Sequence, residues 1–139
     1  MTRTGPSKPA DDAFMAGRLE NARAYHAAAR NAAALAEPGE NANPLVSHIV
    51  NSEIAYADAI TASYRGRVNQ KDHNAAKRAL RDVLGNRLPK AQERRFAKIL
   101  DEKDEAQYGA TRGRLSHALK LLEELDEFAS WAEAELRRA

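Results

Sequence analysis

Four histidines, twenty acidic residues and no cysteine bound the chemistry open to this chain of 139 residues. A di-iron site in a helical bundle needs Glu-x-x-His, which projects two ligands from one helix face. Three positions before His26, His48, His73 and His117 stand Arg23, Leu45, Gln70 and Arg114, so that spacing is absent. No His-x-x-x-His pair is present for a helical zinc site, and no thiolate for a cysteine type. A Gly-rich phosphate loop and a nucleophile elbow are missing too. The sequence therefore predicts neither metal nor cofactor. His48, Ser52 and Glu53 fall close together, either as a polar cluster in a cleft or as groups hydrogen-bonded inside a bundle. Asp58, among Ala57, Ala59 and Ile60, is either exposed or paired with an arginine of a neighbouring helix.

The elements that must carry these groups read as helices throughout. From Asp11 to Glu37, Met15, Leu19, Ala22, Tyr25 or His26, Ala29 and Ala33 recur at three- and four-residue steps, and Pro38-Gly39 stops the run. Its Ala-rich face lets a partner helix approach closely. Asn43-Pro44 opens a second helix, with Asn as N-cap and Pro in the first turn, running to about Tyr64. Leu45, Val46, Ile49, Val50, Ile54, Ala55, Tyr56 and Ile60 make it apolar on most sides, so it must be covered by neighbours or by a partner subunit.

Arg65-Gly66-Arg67 breaks the pattern. Asp72 caps a third helix with Ala76, Leu80, Val83 and Leu84, closed by Gly85-Asn86. Pro89 opens a fourth, carrying Phe96, Ile99, Leu100, Lys103 and Ala106 and ending after Tyr108. A fifth begins between Thr111 and Ser116, with Leu115, Ala118 or Leu119, Leu122, Leu125, Ala129, Ala132 and Leu136 as its stripe. No strand alternation competes. The expected fold is an all-α, antiparallel helical bundle of four to five helices, one domain over 11–139 behind a disordered tail at 1–10.

That tail, Met1 to Ala10, has no apolar stretch and does not read as a signal peptide. No apolar run approaches the roughly 18 residues of a membrane span. Together with the missing cysteines, this predicts a soluble cytoplasmic protein that does not enter a membrane. Net charge is only +2 but uneven: residues 61–100 hold 11 Lys/Arg against 3 Asp/Glu, while 1–60 are at −2 and 101–139 at −4. A basic middle between acidic flanks either binds a polyanion or is neutralised within the bundle or across a dimer. The surplus apolar surface of the second helix predicts a homodimer.

Two stretches carry a family likeness. One is the Ala-rich run Asn51-Ser-Glu-Ile-Ala-Tyr-Ala-Asp-Ala-Ile60 with the basic loop Arg65-Gly-Arg-Val-Asn-Gln-Lys-Asp-His73. The other is Ile99-Leu-Asp-Glu-Lys-Asp-Glu-Ala-Gln-Tyr-Gly109 with the last helix through Phe128-Ala-Ser-Trp131. Over roughly residues 43–136 the chain resembles small bacterial HEPN-type helical proteins. The resemblance implies a dimeric helical module, either an RNA- or protein-associated one without catalysis or a metal-independent ribonuclease, in a toxin–antitoxin or defence setting. Active members use Arg-x4–6-His, with Arg stabilising phosphate charge and His transferring protons.

Arg112-Gly-Arg-Leu-Ser-His117 has that spacing, and so does Arg67-x5-His73. The family's frequent Asn after the Arg is here Gly113, and its Tyr two after the His is Leu119. The resemblance thus makes Arg112 and His117 the candidate catalytic pair. The basic segment offers Arg65, Arg67, Lys71, Arg94 and Arg95 as candidate nucleic-acid contacts. Whether the chain is an enzyme is left open by its sequence. An interaction or nucleic-acid-associated module is the leading expectation, with the ribonuclease as the alternative.

Overall fold

The structure, a computed structural model, describes residues 7–9, 11–65, 67–69 and 73–138, and at 7–9, 65, 67–69, 73 and 74 the backbone alone. Among the described residues six α-helices form the body: α1 Asp12–Leu35, α2 Asn43–Arg65, α3 His73–Leu84, α4 Lys90–Leu100, α5 Lys103–Tyr108 and α6 Leu115–Arg138. A short ribbon joins them: β1 Ser7–Pro9 pairs antiparallel with β2 Arg67–Asn69, with Ser7 opposite Asn69. The helical class is as expected. The ribbon is an addition, placed partly inside the stretch expected as a disordered tail. Three residues are too few for alternation to show, and Pro9 tolerates such an edge because it need not donate.

Local chemistry accounts for most boundaries. The Asp11 carboxylate accepts the Phe14 N–H at 2.8 Å and caps α1. The chain leaves α1 at Ala36 in an extended conformation, two residues before Pro38, and turns through Gly39 at φ +86°. Asn43 does not cap α2 with its side chain as expected. Its Nδ2 instead donates to the Thr111 carbonyl, while Asn41 Oδ1 accepts from the N–H groups of both Asn43 and Gly113. Asp72, the expected cap of α3, lies outside the described residues. The expected fourth helix is two. At Asp101-Glu102 the Glu102 N–H reaches back three residues to Ile99, and the tightened turn redirects the chain into α5.

α2 is the centre. Nearly every residue from Leu45 to Ala62 is buried, and α1, α3, α4, α5 and α6 all pack on it. It meets α1 in opposite sense, Arg18 with Asp58 and Tyr25 with His48. It meets α6 in the same sense, Ala42 with Gly113 near the start and Tyr56 with Glu133 further on. Ala22 and Ala29 of α1 are fully buried, which is where the small side chains let the helices close up.

Two apolar clusters share Ile54 of α2. One holds Phe96, Phe128, Leu80, Leu100 and Ile60; the other holds Ile49, Val50, Ile99, Leu121 and Leu125. Between Ala118 and Leu119, left open by periodicity, it is Ala118 that is buried. The apolar surplus of α2 is therefore covered within one chain. The homodimer expectation loses the surface on which it rested.

Candidate nucleic-acid interface

Much of the positive charge of residues 61–100 is spoken for inside the bundle. Arg81 of α3 holds Glu93 of α4 through two nitrogens, and Lys77 donates to Asp101 at 2.8 Å. Arg87, in the connection to α4, donates at 2.5 Å to Glu135 of α6. The Glu135 carboxyl is buried, also accepts the Tyr64 hydroxyl at 2.9 Å, and has Arg138 at 3.7 Å. Arg87 also lies 5.1 Å from the Tyr64 ring centroid, within cation–π range. These pairs tie the basic middle of the chain to acidic groups, α6 among them, so much of the surplus is internal neutralisation.

Of the charges left over, Arg78 stands exposed on α3 and a group of four lies on α4. Phe96, Ile99 and Leu100 turn that helix toward the core, which leaves the opposite side to water. There Lys90, Arg94 and Lys98 follow one another at four-residue steps, all three exposed. Four residues of helix rise about 6 Å, so the cations form one row. Among the described residues Lys90 and Arg94 have no acidic partner, and Lys98 only reaches Glu124 at 3.9 Å. Arg95 turns inward toward Glu124 at 3.7 Å, and its Nε is buried without a hydrogen-bond partner. Arg94, Arg95, Lys98 and Glu124 line a concavity of about 480 Å³ between α4 and α6. The row presents positive charge at a spacing that can hold phosphates, with Glu124 the one carboxylate among the lining residues.

The other candidate positions fare differently. Lys71 lies outside the described residues, and only the backbone is described at Arg65 and Arg67. Arg112 lies in the coil before α6 and donates to the Gly39 carbonyl. His117, in the first turn of α6, bonds Glu102 at 2.8 Å through Nε2. Each has its own partner, and no contact brings the two together. Gly113 is less a helix breaker than a point of close approach. Its carbonyl accepts from Ala42, and a Cβ there would stand 2.5 Å from Asn43 Oδ1. Asp58 pairs with Arg18 at 3.1 Å, and Ser52 donates to the Ala22 carbonyl at 2.8 Å. Those two polar groups serve the packing of α1 on α2.

A second polar network lies where α1, α2 and α6 meet, and periodicity alone did not disclose it. His26, buried on α1, bonds Asp126 of α6 at 2.6 Å, with Arg30 at 3.4 Å. Arg23 grips Glu133 through two hydrogen bonds of 2.8 and 2.6 Å, and the Tyr56 hydroxyl donates to it at 3.0 Å. Each arginine already faces a carboxylate, so this is an interhelical clasp rather than an anion site.

The Arg23 guanidinium and the Tyr56 hydroxyl, both hydrogen-bonded to Glu133, hold its carboxyl below the ordinary range despite partial burial. Burial first, and then the Glu133 bond, push the Tyr56 phenol up. A depressed carboxyl contributes stability that is present above the ordinary glutamate range and is lost as pH falls through its folded-state value. Thermal unfolding followed from pH 6 down to pH 3 should therefore show a smaller acid-side loss for Glu133→Gln than for the parent. Parallel curves would show that the clasp contributes nothing to acid stability.

Among the described residues no three His, Asp or Glu side chains converge as a metal-binding group, and no helix is long and apolar enough to cross a membrane. No family model matches the chain, and comparison with curated proteins found no match.

Proposed function

We propose that this chain is a HEPN-like helical module that associates with nucleic acid along the exposed side of α4, by charge rather than by catalysis. The observation that carries the proposal is the row Lys90, Arg94 and Lys98, exposed at one-turn intervals with two of its three cations unneutralised. Arg95 lies behind the row, beside Glu124. Elsewhere in residues 61–100 the fold spends Lys77, Arg81 and Arg87 on its own carboxylates. The likeness to HEPN-type proteins supports a single-stranded RNA partner. Arg112 and His117, each engaged elsewhere, give the ribonuclease alternative no added support.

The test is fluorescence anisotropy with a single-stranded RNA oligonucleotide over a salt series. Phosphate contacts release counterions, and three of them on a single strand give a log–log slope of about −2. Affinity should then fall roughly twentyfold between 50 and 200 mM salt. Lys90→Gln, Arg94→Gln and Lys98→Gln together should remove most of the binding and flatten that slope, while Arg112→Ala leaves both unchanged. Binding that ignores salt, or that survives the triple substitution, overturns the proposal.

A further inference from the structure

Glu53 stands apart from every other acid among the described residues. It is fully buried in the middle of α2, and neither of its carboxyl oxygens has a hydrogen-bond partner. Two charged groups bear on it, Lys77 of α3 and Asp101 at the end of α4. From α1, α5 and α6 no charged group among the described residues does so.

Lys77 and Asp101 are already joined at 2.8 Å, but unequally placed: the lysine side chain is 28% exposed and the aspartate 66%. Asp101 can give up its partner to water at little cost, as exposed ion pairs do. A carboxylate at Glu53 has no such recourse, because an unpaired charge in a dry interior is strongly disfavoured. Lysine, a point charge on a flexible four-carbon stem, is suited to changing partners.

We propose that Glu53, Lys77 and Asp101 form a proton-operated latch: with the proton on Glu53, Lys77 clasps Asp101 and ties α3 to the end of α4, and when the proton leaves to solvent Lys77 turns inward to the buried carboxylate. The Arg81–Glu93 pair holds the other ends of α3 and α4 together, so the opening is confined to the start of α3 and the end of α4. Burial raises the Glu53 carboxyl well above the ordinary range, with Lys77 opposing and Asp101 adding to the rise. The closed form accordingly contributes stability that is complete below the ordinary glutamate range and is lost as pH rises through the folded-state midpoint.

Carbon-detected NMR of the uniformly labelled full chain, titrated from pH 4 to pH 10, reads the latch directly. One glutamate carboxyl should titrate well above the others and vanish from the spectrum of Glu53→Gln. The Asp101 carboxyl and the Lys77 side chain should both shift at that same midpoint, as the lysine changes partner. Lys77→Met should move the midpoint up and leave Asp101 silent. Asp101→Asn should move it down, each by about one pH unit. These two variants carry the test if Glu53→Gln does not fold. A Glu53 that titrates with the other glutamates overturns the proposal. So do Lys77 and Asp101 signals that stay flat through its transition, or a midpoint that neither variant moves.

Discussion

Phe128→Ala should lower the unfolding free energy by about 3–5 kcal/mol, the range for deleting a buried aromatic side chain. Phe128 is fully buried on α6 and stacks on Phe96 of α4, with ring centroids 5.7 Å apart and planes 18° from parallel. Trp131 also packs against it, with ring centroids 5.4 Å apart. Truncation removes the transfer gain of the ring, leaves a cavity among Leu80, Leu100 and Ile60, and forfeits an aromatic pair contributing about 0.5–1.5 kcal/mol beyond its area. Phe128→Leu keeps most of the volume and should cost about 1.5 kcal/mol. Urea unfolding with an unchanged m-value checks both. A loss below about 1 kcal/mol for the alanine variant would mean that this cluster does not hold α4 against α6.

The second large effect concerns Arg87 and Glu135, and here the two partners are not equivalent. Arg87→Met should destabilise by about 2 kcal/mol, less than the 3–5 kcal/mol of a fully enclosed pair because the arginine is partly exposed. It leaves a carboxyl that is only 3% exposed with the Tyr64 hydroxyl as its one close partner and Arg138 at 3.7 Å. Glu135→Met should cost less than half as much, since Arg87, 42% exposed, can turn to water. The double variant should be more stable than Arg87→Met alone, because the orphaned charge is gone. A cycle of the four proteins in urea measures this, and equal losses for the two single variants would show that burial does not set the asymmetry.

How much of this was legible beforehand depends on the kind of signal. Pro38-Gly39, Asn43-Pro44 and Gly85 announced helix boundaries because their backbone preferences are local. Asp101-Glu102 carries neither proline nor glycine, so the break between α4 and α5 had nothing to announce it. The covering of α2 is open in the sequence between neighbouring helices and a partner subunit for a related reason. A helix's own residues show how much surface must be hidden, but not how many neighbours will hide it.

Of the candidate interface, the charge excess is visible in the sequence, and it points to Arg94 and Arg95 among its contacts. The four-residue spacing that adds Lys90 and Lys98 was equally visible, but it gains meaning only once Phe96, Ile99 and Leu100 show which side of α4 faces inward. The clasps of Arg23 with Glu133 and of His26 with Asp126 join residues 110 and 100 apart in sequence, and no local pattern encodes such a pairing.

The central position of α2 also sets an order of events in the cell. α1 and α2 leave the ribosome before the rest of the bundle and can pair at once, but α6, which closes the other side of α2, is made after the other five helices described. Synthesis at 5–20 residues per second leaves the apolar side of that nascent hairpin uncovered for about 4–15 s. During that interval Ile49, Val50 and Ile60 are available to any other unfinished chain or to a chaperone. The most sequestered helix of the finished molecule is therefore its principal liability while the molecule is being made.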